Sequence, residues 1–233
     1  MKIAAAQIKS FQCNTEANMH LHLTMIKAAA DQKVSLILFP EMSLTGYERA
    51  LAADLSFTTN DERLAIFKEK SKEYQMYIIV GAPIQINKEL HIGSFVISPN
   101  GEMEIYTKQF LHTGEEIYFT PNLEFNPLIL VDTQKISMAI CADITNPTHA
   151  ENASRKNTSL YLASIFYTPT GIDEGYRILS HYAKKYQMNV LMSNYIGNAF
   201  NLEGAGMSAY WNSKGELVSH LINKEEQLLI IEI

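Results

Sequence analysis

The stretch His91–Phe110, HIGSFVISPNGEMEIYTKQF, contains two apolar runs separated by the turn sequence Ser98-Pro99-Asn100-Gly101. Proline presets φ for a turn, and asparagine and glycine tolerate a left-handed backbone, so the stretch predicts an antiparallel hairpin. A doubly wound sheet alternates parallel strands with helices and has no place for such a hairpin in its middle. The chain therefore requires a different α/β architecture.

On either side of the hairpin, apolar strand patterns alternate with amphipathic helices. Helices are expected from about Thr15 to Gln32, from the capping-box sequence Thr59-Asn60-Asp61-Glu62, near Pro147–Lys156 and from about Tyr176 to Tyr186. The predicted strands are IAAAQI, SLILFP, YIIVGAP, PLILVD, KISMAICAD, LYLAS, NVLMSN, SAYWN, LVSHLI and LLIIEI. This order predicts a layered α/β sandwich. No linker-like or repeated segment interrupts it, so residues 1–233 are expected to form a single domain.

The composition excludes several classes of protein. Of 233 residues, 47% are hydrophobic and 19% are charged, and the net charge is -6. Without a basic cluster, neither nucleic acid nor an anionic membrane is expected as a partner, so the expected ligand is a small molecule. No apolar run of membrane-spanning length and no signal-peptide pattern occurs, which predicts a cytoplasmic protein. No cofactor is indicated.

Three residues that can carry chemistry follow apolar strand runs, where α/β proteins place their ligands. Glu41 follows SLILFP, Lys108 follows MEIYT, and Cys141 follows ISMAI. Each has an ordinary structural explanation, because a lone cysteine is usually a small core residue and a lone Glu or Lys usually decorates the surface. The core explanation is the one we expect for Cys13. There is no CxxC pair, and a disulfide framework is not predicted.

Histidines offer an alternative base for a cysteine nucleophile. His112, His149 and His181 are candidates, although no papain-like sequence surrounds Cys141. His20 and His22 are two residues apart on a predicted helix, so they point to different faces and do not form a metal site. The sequence Gly204-Ala205-Gly206 lacks the third glycine of a dinucleotide loop and is interpreted as a turn.

The chain contains three ordered motifs. They are Phe39-Pro40-Glu41 followed by Gly46-Tyr47; Tyr106-Thr107-Lys108 followed by Gly114-Glu115 and Tyr118-Phe119-Thr120-Pro121; and Ile140-Cys141-Ala142-Asp143 with Pro147 after it. These motifs resemble those of the nitrilase superfamily of carbon–nitrogen hydrolases. Later matching features are Tyr182-Ala183, Asn194 and Gly206-Met207-Ser208. The resemblance covers essentially the whole chain and implies a four-layer α-β-β-α sandwich.

The resemblance also implies roles for the motif residues. Cys141 would be the nucleophile, Glu41 its general base, and Lys108 with the Ala142 backbone N–H an oxyanion hole. Glu115 matches the family's second glutamate and would orient Lys108 or the substrate. Its alternative explanation is an exposed loop carboxylate.

Departures from the family pattern narrow the expected substrate. Asp143 resembles the amidase and carbamoylase branches, whereas nitrile-cleaving branches resemble Cys-Trp-Glu at this point. Ala142 replaces a common aromatic residue, which implies a wider acyl pocket. Thr145 replaces an arginine typical of ω-amidases, which act on dicarboxylic monoamides. Arg177, at a predicted helix start, is another source of that charge, although a surface arginine is the commoner explanation.

The expected function is hydrolysis of a small amide through a cysteine thioester, releasing ammonia. An N-carbamoyl compound or a dicarboxylic monoamide remains an alternative substrate. The rival classes are a Cys-His acyl hydrolase and a non-catalytic binding protein on the same scaffold. By its length the chain is expected to be a free-standing hydrolase rather than part of an ammonia-using synthetase. The resemblance implies a homodimer or a higher homo-oligomer.

Overall fold

The computed structural model describes residues 1–222 and 224–233 and contains two six-stranded sheets. The first has the strand order β14-β1-β2-β3-β4-β5. Strands β1, β2 and β3 are parallel, whereas β14, β4 and β5 are antiparallel to their neighbours. The bounds of these strands are β1 Lys2–Gln7, β2 Leu36–Leu38, β3 Tyr77–Ile86, β4 Glu89–Ile97, β5 Met103–Thr107 and β14 Gln227–Glu232.

The second sheet has the order β13-β12-β9-β8-β7-β6, with β7, β8 and β9 parallel. A separate two-stranded ribbon pairs β10 with β11. The bounds are β6 Ile129–Val131, β7 Gln134–Ile140, β8 Leu160–Ser164, β9 Asn189–Ser193, β10 Ile196–Ala199, β11 Leu202–Ala205, β12 Ala209–Trp211 and β13 Leu217–His220.

Helices cover the outer faces of the two sheets. The helices are α1 Thr15–Asp31, α2 Ala52–Leu55, α3 Ala65–Tyr74, α4 Pro147–Arg155 and α5 Ile172–Tyr186. Strand β1 shows why the layers form, because alternate side chains of a strand face opposite ways. Ala4 and Ala6 belong to the core under α1 and α3, whereas Ile3 and Ala5 belong to the core shared with the second sheet. The predicted α-β-β-α sandwich is therefore confirmed.

Hydrogen bonds also join the two sheets at the ends of their parallel strands. Ser164 Oγ donates to the Phe39 carbonyl at 2.9 Å, and Ser193 Oγ donates to the Ala6 carbonyl at 2.7 Å. These bonds bring the carboxyl ends of strands from both sheets to one place. Loops that follow those strands are thereby brought together.

The predicted hairpin is confirmed as β4 and β5, with Val96 opposite Glu104. Three local expectations were wrong. The Thr59–Glu62 box does not form, because Asp61 caps a short 3₁₀ turn at Glu62–Leu64 before α3 begins. Gly204 and Ala205 lie in strand β11 rather than in a turn.

The third wrong expectation concerns Cys13, which is exposed because it lies in the turn before α1 rather than in a strand. His20 and His22 do point apart, since His22 is fully buried and His20 is exposed. None of the helices in the described ranges is both long enough and apolar enough to cross a membrane.

Candidate active site

Glu41, Lys108 and Cys141 follow three strands whose ends meet between the sheets. Lys108 comes directly after β5, Cys141 directly after β7, and Glu41 three residues after β2. Lys108 Nζ lies 2.7 Å from Glu41 Oε1 and 2.8 Å from Glu115 Oε2. All four residues are buried. The structure therefore brings the four candidate side chains into one water-poor cluster.

The turn that carries Glu41 is packed tightly against β3. A Cβ atom on Gly81 would lie 2.6 Å from both the Met42 nitrogen and the Pro40 carbonyl oxygen. Real Cβ atoms do not approach backbone that closely, so only glycine fits at this position. The backbone on both sides of Glu41 is thus held in place, and the carboxylate has little freedom to move.

Cys141 begins a 3₁₀ turn, Cys141–Thr145, with a positive φ of 42°. A non-glycine residue in this region is strained, and such strain concentrates at functional sites. Its thiol donates a long hydrogen bond to the Phe166 carbonyl at 3.9 Å. Ala142 is buried in the first turn of the same element, where backbone N–H groups have no helical partner. Its N–H is suited to donate a hydrogen bond to a substrate oxygen.

Asp143 fastens the cysteine turn to the segment that follows Lys108. Its Oδ1 accepts from the backbone N–H groups of Gln109 and Phe110 at 2.9 and 2.8 Å. Its Oδ2 accepts from the Ile140 N–H at 2.8 Å and from the Tyr106 hydroxyl at 2.6 Å. The carboxylate is fully buried. Four donors therefore fix the relative positions of the thiol and the ammonium.

The histidines that might serve a Cys-His hydrolase are placed elsewhere. His149 is buried, but its two ring nitrogens pair with the hydroxyls of Tyr106 and Tyr161 at 2.8 and 2.6 Å. His112 and His181 are exposed. Burial lowers the pKa of His149, which keeps the ring neutral. The hydrogen bonds of the described residues thus offer no histidine as partner for Cys141.

Glu115 is fully buried, so it is not an exposed loop carboxylate. Its Oε1 accepts from the Tyr47 hydroxyl at 3.0 Å, and its Oε2 accepts from the His112 N–H at 2.8 Å. Arg49 lies 3.8 Å from Glu115 Oε1 and donates to the Tyr47 hydroxyl at 3.1 Å. These contacts hold Glu115 ionised beneath Lys108.

Burial and neighbouring charges shift the acidity of the cluster. Burial raises the pKa of Glu41 to about 7; the Lys108 charge opposes the rise and the Glu115 charge adds to it. Burial also raises the pKa of the Cys141 thiol, as does the Glu41 charge. Although burial alone would raise the pKa of Glu115, the Lys108 charge and hydrogen bonds bring it below its usual value. At rest the site therefore holds a thiol beside a carboxylate of unusually high proton affinity.

Lys108 has an N–H donor, and Glu41 a carboxylate oxygen, that no described residue pairs with. Burial lowers the pKa of Lys108, but the charges of Glu41, Cys141 and Glu115 raise it well above its ordinary value, so the ammonium stays protonated. An ammonium has three N–H donors, of which two go to Glu41 and Glu115. Across the described residues, Glu41 Oε2 has no hydrogen-bond partner. One donor and one acceptor are thus left for a substrate.

The sequence analysis did not identify some residues of the site. Phe166, which contacts Cys141, follows β8 and could have been found by the same strand-end rule that selected Glu41. Arg49 had no such signal, since its position depends on ring contacts with Phe200 at 4.5 Å and Tyr47 at 5.3 Å. Thr145, which replaces the arginine of ω-amidases, is exposed. Arg177, the other residue considered as a partner for a substrate carboxylate, is exposed as well.

Residues 2–233 match the model of the carbon-nitrogen hydrolase family. The chain belongs to this family. Among curated relatives, the glutamine-dependent NAD(+) synthetase of Thermotoga maritima is 22% identical over the whole chain, which spans 42% of that protein. The protein N-terminal amidase of Schizosaccharomyces pombe is 34% identical over half of the chain and 44% of its own length. The nitrilase of Pyrococcus abyssi is 22% identical over 100% of the chain and 89% of its own length.

Solved structures share the fold of this family member. One is a variant of the amidase from Nesterenkonia sp. AN1 that shows covalent addition of the acetamide moiety of fluoroacetamide at the active site cysteine. It has a TM-score of 0.89 at 20% identity, covering 100% of this chain and 90% of the amidase. The family match confirms the predicted family, and the structural similarity confirms the predicted fold.

Proposed function

We propose that the protein hydrolyses the C–N bond of a small linear amide through a thioester on Cys141, releasing ammonia and a carboxylic acid. The observation that carries the proposal is the buried cluster in which Lys108 bridges Glu41 and Glu115 beside the Cys141 turn. A non-catalytic binding protein has no need to bury one ammonium against two carboxylates, since burying charge is costly.

The acylation half begins when Glu41 accepts the thiol proton of Cys141. The sulfur then forms a bond to the amide carbon, and the carbonyl oxygen becomes an oxyanion that Lys108 and the Ala142 N–H stabilise. Because the site is buried, the interaction with Lys108 is stronger than it would be in water. When the C–N bond breaks, protonated Glu41 gives its proton to the departing nitrogen, and ammonia leaves.

Deacylation uses the same groups in the same order. A water molecule loses a proton to Glu41 and attacks the thioester carbon, and the C–S bond breaks. The thiolate then takes the proton back from Glu41, which regenerates the resting thiol and carboxylate. A carboxyl group whose pKa is about 7 suits both directions of proton transfer near neutral pH.

The substrate class follows from residues around the nucleophile. Asp143 favours an amide over a nitrile, and Ala142 leaves room beside the acyl group. Neither Thr145 nor Arg177 is buried against the site to bind a substrate carboxylate. Uncharged short acyl amides should therefore be accepted at least as well as dicarboxylic monoamides. N-carbamoyl compounds are the alternative class, because they present the same carbonyl and leaving nitrogen.

The test measures ammonia release from a panel of short amides, N-carbamoyl compounds and nitriles. Brief incubation with an accepted amide, followed by acid quench and peptide mass analysis, should find the acyl mass on the peptide that contains Cys141. Hydroxylamine should divert part of the product to a hydroxamate, because a thioester yields to small nucleophiles. Ammonia release from nitriles alone would contradict the substrate class, and an acyl mass on Cys13 would contradict the mechanism.

A further inference from the structure

A small cavity lies at the tip of the β10–β11 ribbon. Its volume is about 270 Å³, and its lining consists of Gln12, Glu48, Asn198, Ala199, Phe200 and Asn201. The three carboxamide side chains belong to exposed residues, whereas Glu48 is only 8% exposed. The cavity therefore has a carboxylate at its base and carboxamides around its rim.

Glu48 is a buried carboxylate with one oxygen that receives no hydrogen bond from the described residues. Its Oε1 is buried and has no hydrogen-bond partner in the described part of the chain. The adjacent cation, Arg49, is directed elsewhere, to the Tyr47 hydroxyl and Glu115. Buried polar atoms are almost always hydrogen-bonded, and an unpaired one costs free energy. A ligand that brings both a positive charge and hydrogen-bond donors would satisfy this oxygen.

The lining selects a primary ammonium group among cations. An ammonium has three donors, which match one carboxylate and nearby carboxamide oxygens. Calcium needs six to eight oxygen ligands and usually several carboxylates, and this cavity has one carboxylate. Its volume is also below that of cavities which enclose a whole ligand, so it fits an end group.

A series of aromatic rings runs from this cavity to Phe166, whose backbone carbonyl contacts the thiol. The Phe200 ring centroid lies 6.3 Å from that of Tyr47, which lies 4.6 Å from that of Phe166. The Phe166 carbonyl accepts the hydrogen bond of Cys141. We propose that Glu48 binds a primary ammonium at the far end of the amide substrate, with the alkyl chain lying along these rings. This inference rests on the proposed function and specifies its substrate as an ω-amino amide.

The test compares 5-aminopentanamide with hexanamide, which carries a methyl group in place of the ammonium. A charge-assisted hydrogen bond should make kcat/KM at least about tenfold higher for the amino amide. Glu48→Gln should bring the ratio of the two values close to one, and Glu48→Asp should retain part of it. Because the readout is a ratio, general damage to catalysis cancels. Glu203→Gln removes an exposed carboxylate from the same ribbon and should leave the ratio unchanged.

Three outcomes would overturn the inference: a wild-type ratio near one, a ratio that survives Glu48→Gln, or a preference for amides that bear a carboxylate. A binding measurement keeps this test separate from the proposed reaction. Calorimetry with 1-aminobutane should detect binding to the wild-type protein and at least tenfold weaker binding to Glu48→Gln, with 1-butanol as the neutral comparison. Equal binding of the amine to both proteins would refute the role of Glu48 even if amide hydrolysis is confirmed.

Discussion

The Tyr106 hydroxyl donates a 2.6 Å hydrogen bond to Asp143 Oδ2. Tyr106 belongs to β5, two residues before Lys108, and Asp143 lies two residues after Cys141. The bond therefore joins the strand of the first sheet that precedes Lys108 to the turn of the second sheet that begins at Cys141. Both side chains are fully buried, so solvent does not compete for the bond.

Tyr106→Phe should slow the reaction without removing any group that touches the substrate. Loss of the hydroxyl leaves Asp143 with three donors and frees one His149 nitrogen, which should lower the free energy of unfolding by about 1–3 kcal/mol. A small displacement of Lys108 relative to Cys141 should lower kcat/KM on the order of ten- to a hundredfold. Urea unfolding and steady-state kinetics measure the two effects. Tyr77→Phe removes a hydroxyl that donates to the exposed Leu130 carbonyl and serves as control.

Cys141→Ala should abolish turnover, whereas Cys13→Ala should leave it near the wild-type rate. The first thiol begins the strained turn beside the buried cluster, and the second is exposed before α1. Thermal melting should show both variants folded. Comparable losses of activity in two folded variants would remove Cys141 from the role of nucleophile.

The sequence predicted the positions of Glu41, Lys108 and Cys141 because each follows an apolar strand run that is recognisable locally. The proximity of the three side chains could also be expected, because the carboxyl ends of strands in layered α/β folds lie at one edge of the sheet. Cys13 shows the limit of local inference. Its expected burial was a statistical tendency of cysteines, and the turn it occupies was set by the start of α1.

Contacts between segments that are distant in the chain could not be predicted from the sequence. The stacking of Arg49 on Phe200 requires the turn after β2 to meet the tip of the β10–β11 ribbon. Likewise, three of the four hydrogen bonds to Asp143, from Tyr106, Gln109 and Phe110, form only after both sheets have packed. Such contacts depend on tertiary packing, and no local pattern encodes them.

Glu41→Gln should lower kcat by about 10² to 10⁴, the usual range for a positioned acid or base. Glutamine keeps the shape of the side chain and can still accept from Lys108, but it does not accept the thiol proton. Single-turnover measurements with an accepted amide separate acylation from binding. Full activity of this variant together with an inactive His149→Gln variant would favour the Cys-His alternative.

The pH dependence should show an acid limb near pH 7 that belongs to Glu41. Burial raises the pKa of this carboxyl group to about 7, and only the ionised form accepts a proton. Thus kcat/KM should rise with pH about tenfold per unit below pH 7 and level off above it. As a control, Glu116→Gln removes an exposed neighbour of Glu115 and should leave the acid limb of the kcat/KM profile unchanged. A limb that persists in the residual activity of Glu41→Gln would assign the titration to another group.

Lys108→Met should lower kcat by roughly 10² or more, because the developing oxyanion loses a charged donor. The same change removes the ammonium that separates Glu41 from Glu115, leaving two buried carboxylates without their shared partner. Breaking a buried ion pair on one side typically costs about 3–5 kcal/mol. Loss of activity in this variant alone would therefore not distinguish catalysis from stability.

The double variant Lys108→Met with Glu115→Gln makes that distinction. Replacing Glu115 removes one of the two unpaired charges, so the free energy of unfolding should recover part of the loss seen in Lys108→Met. Activity should not recover, since the donor for the oxyanion is still missing. Urea unfolding and kcat for an accepted amide are measured on the single and double variants. Recovery of both quantities would show that Lys108 only neutralises its carboxylates, whereas recovery of stability alone establishes its part in the chemistry.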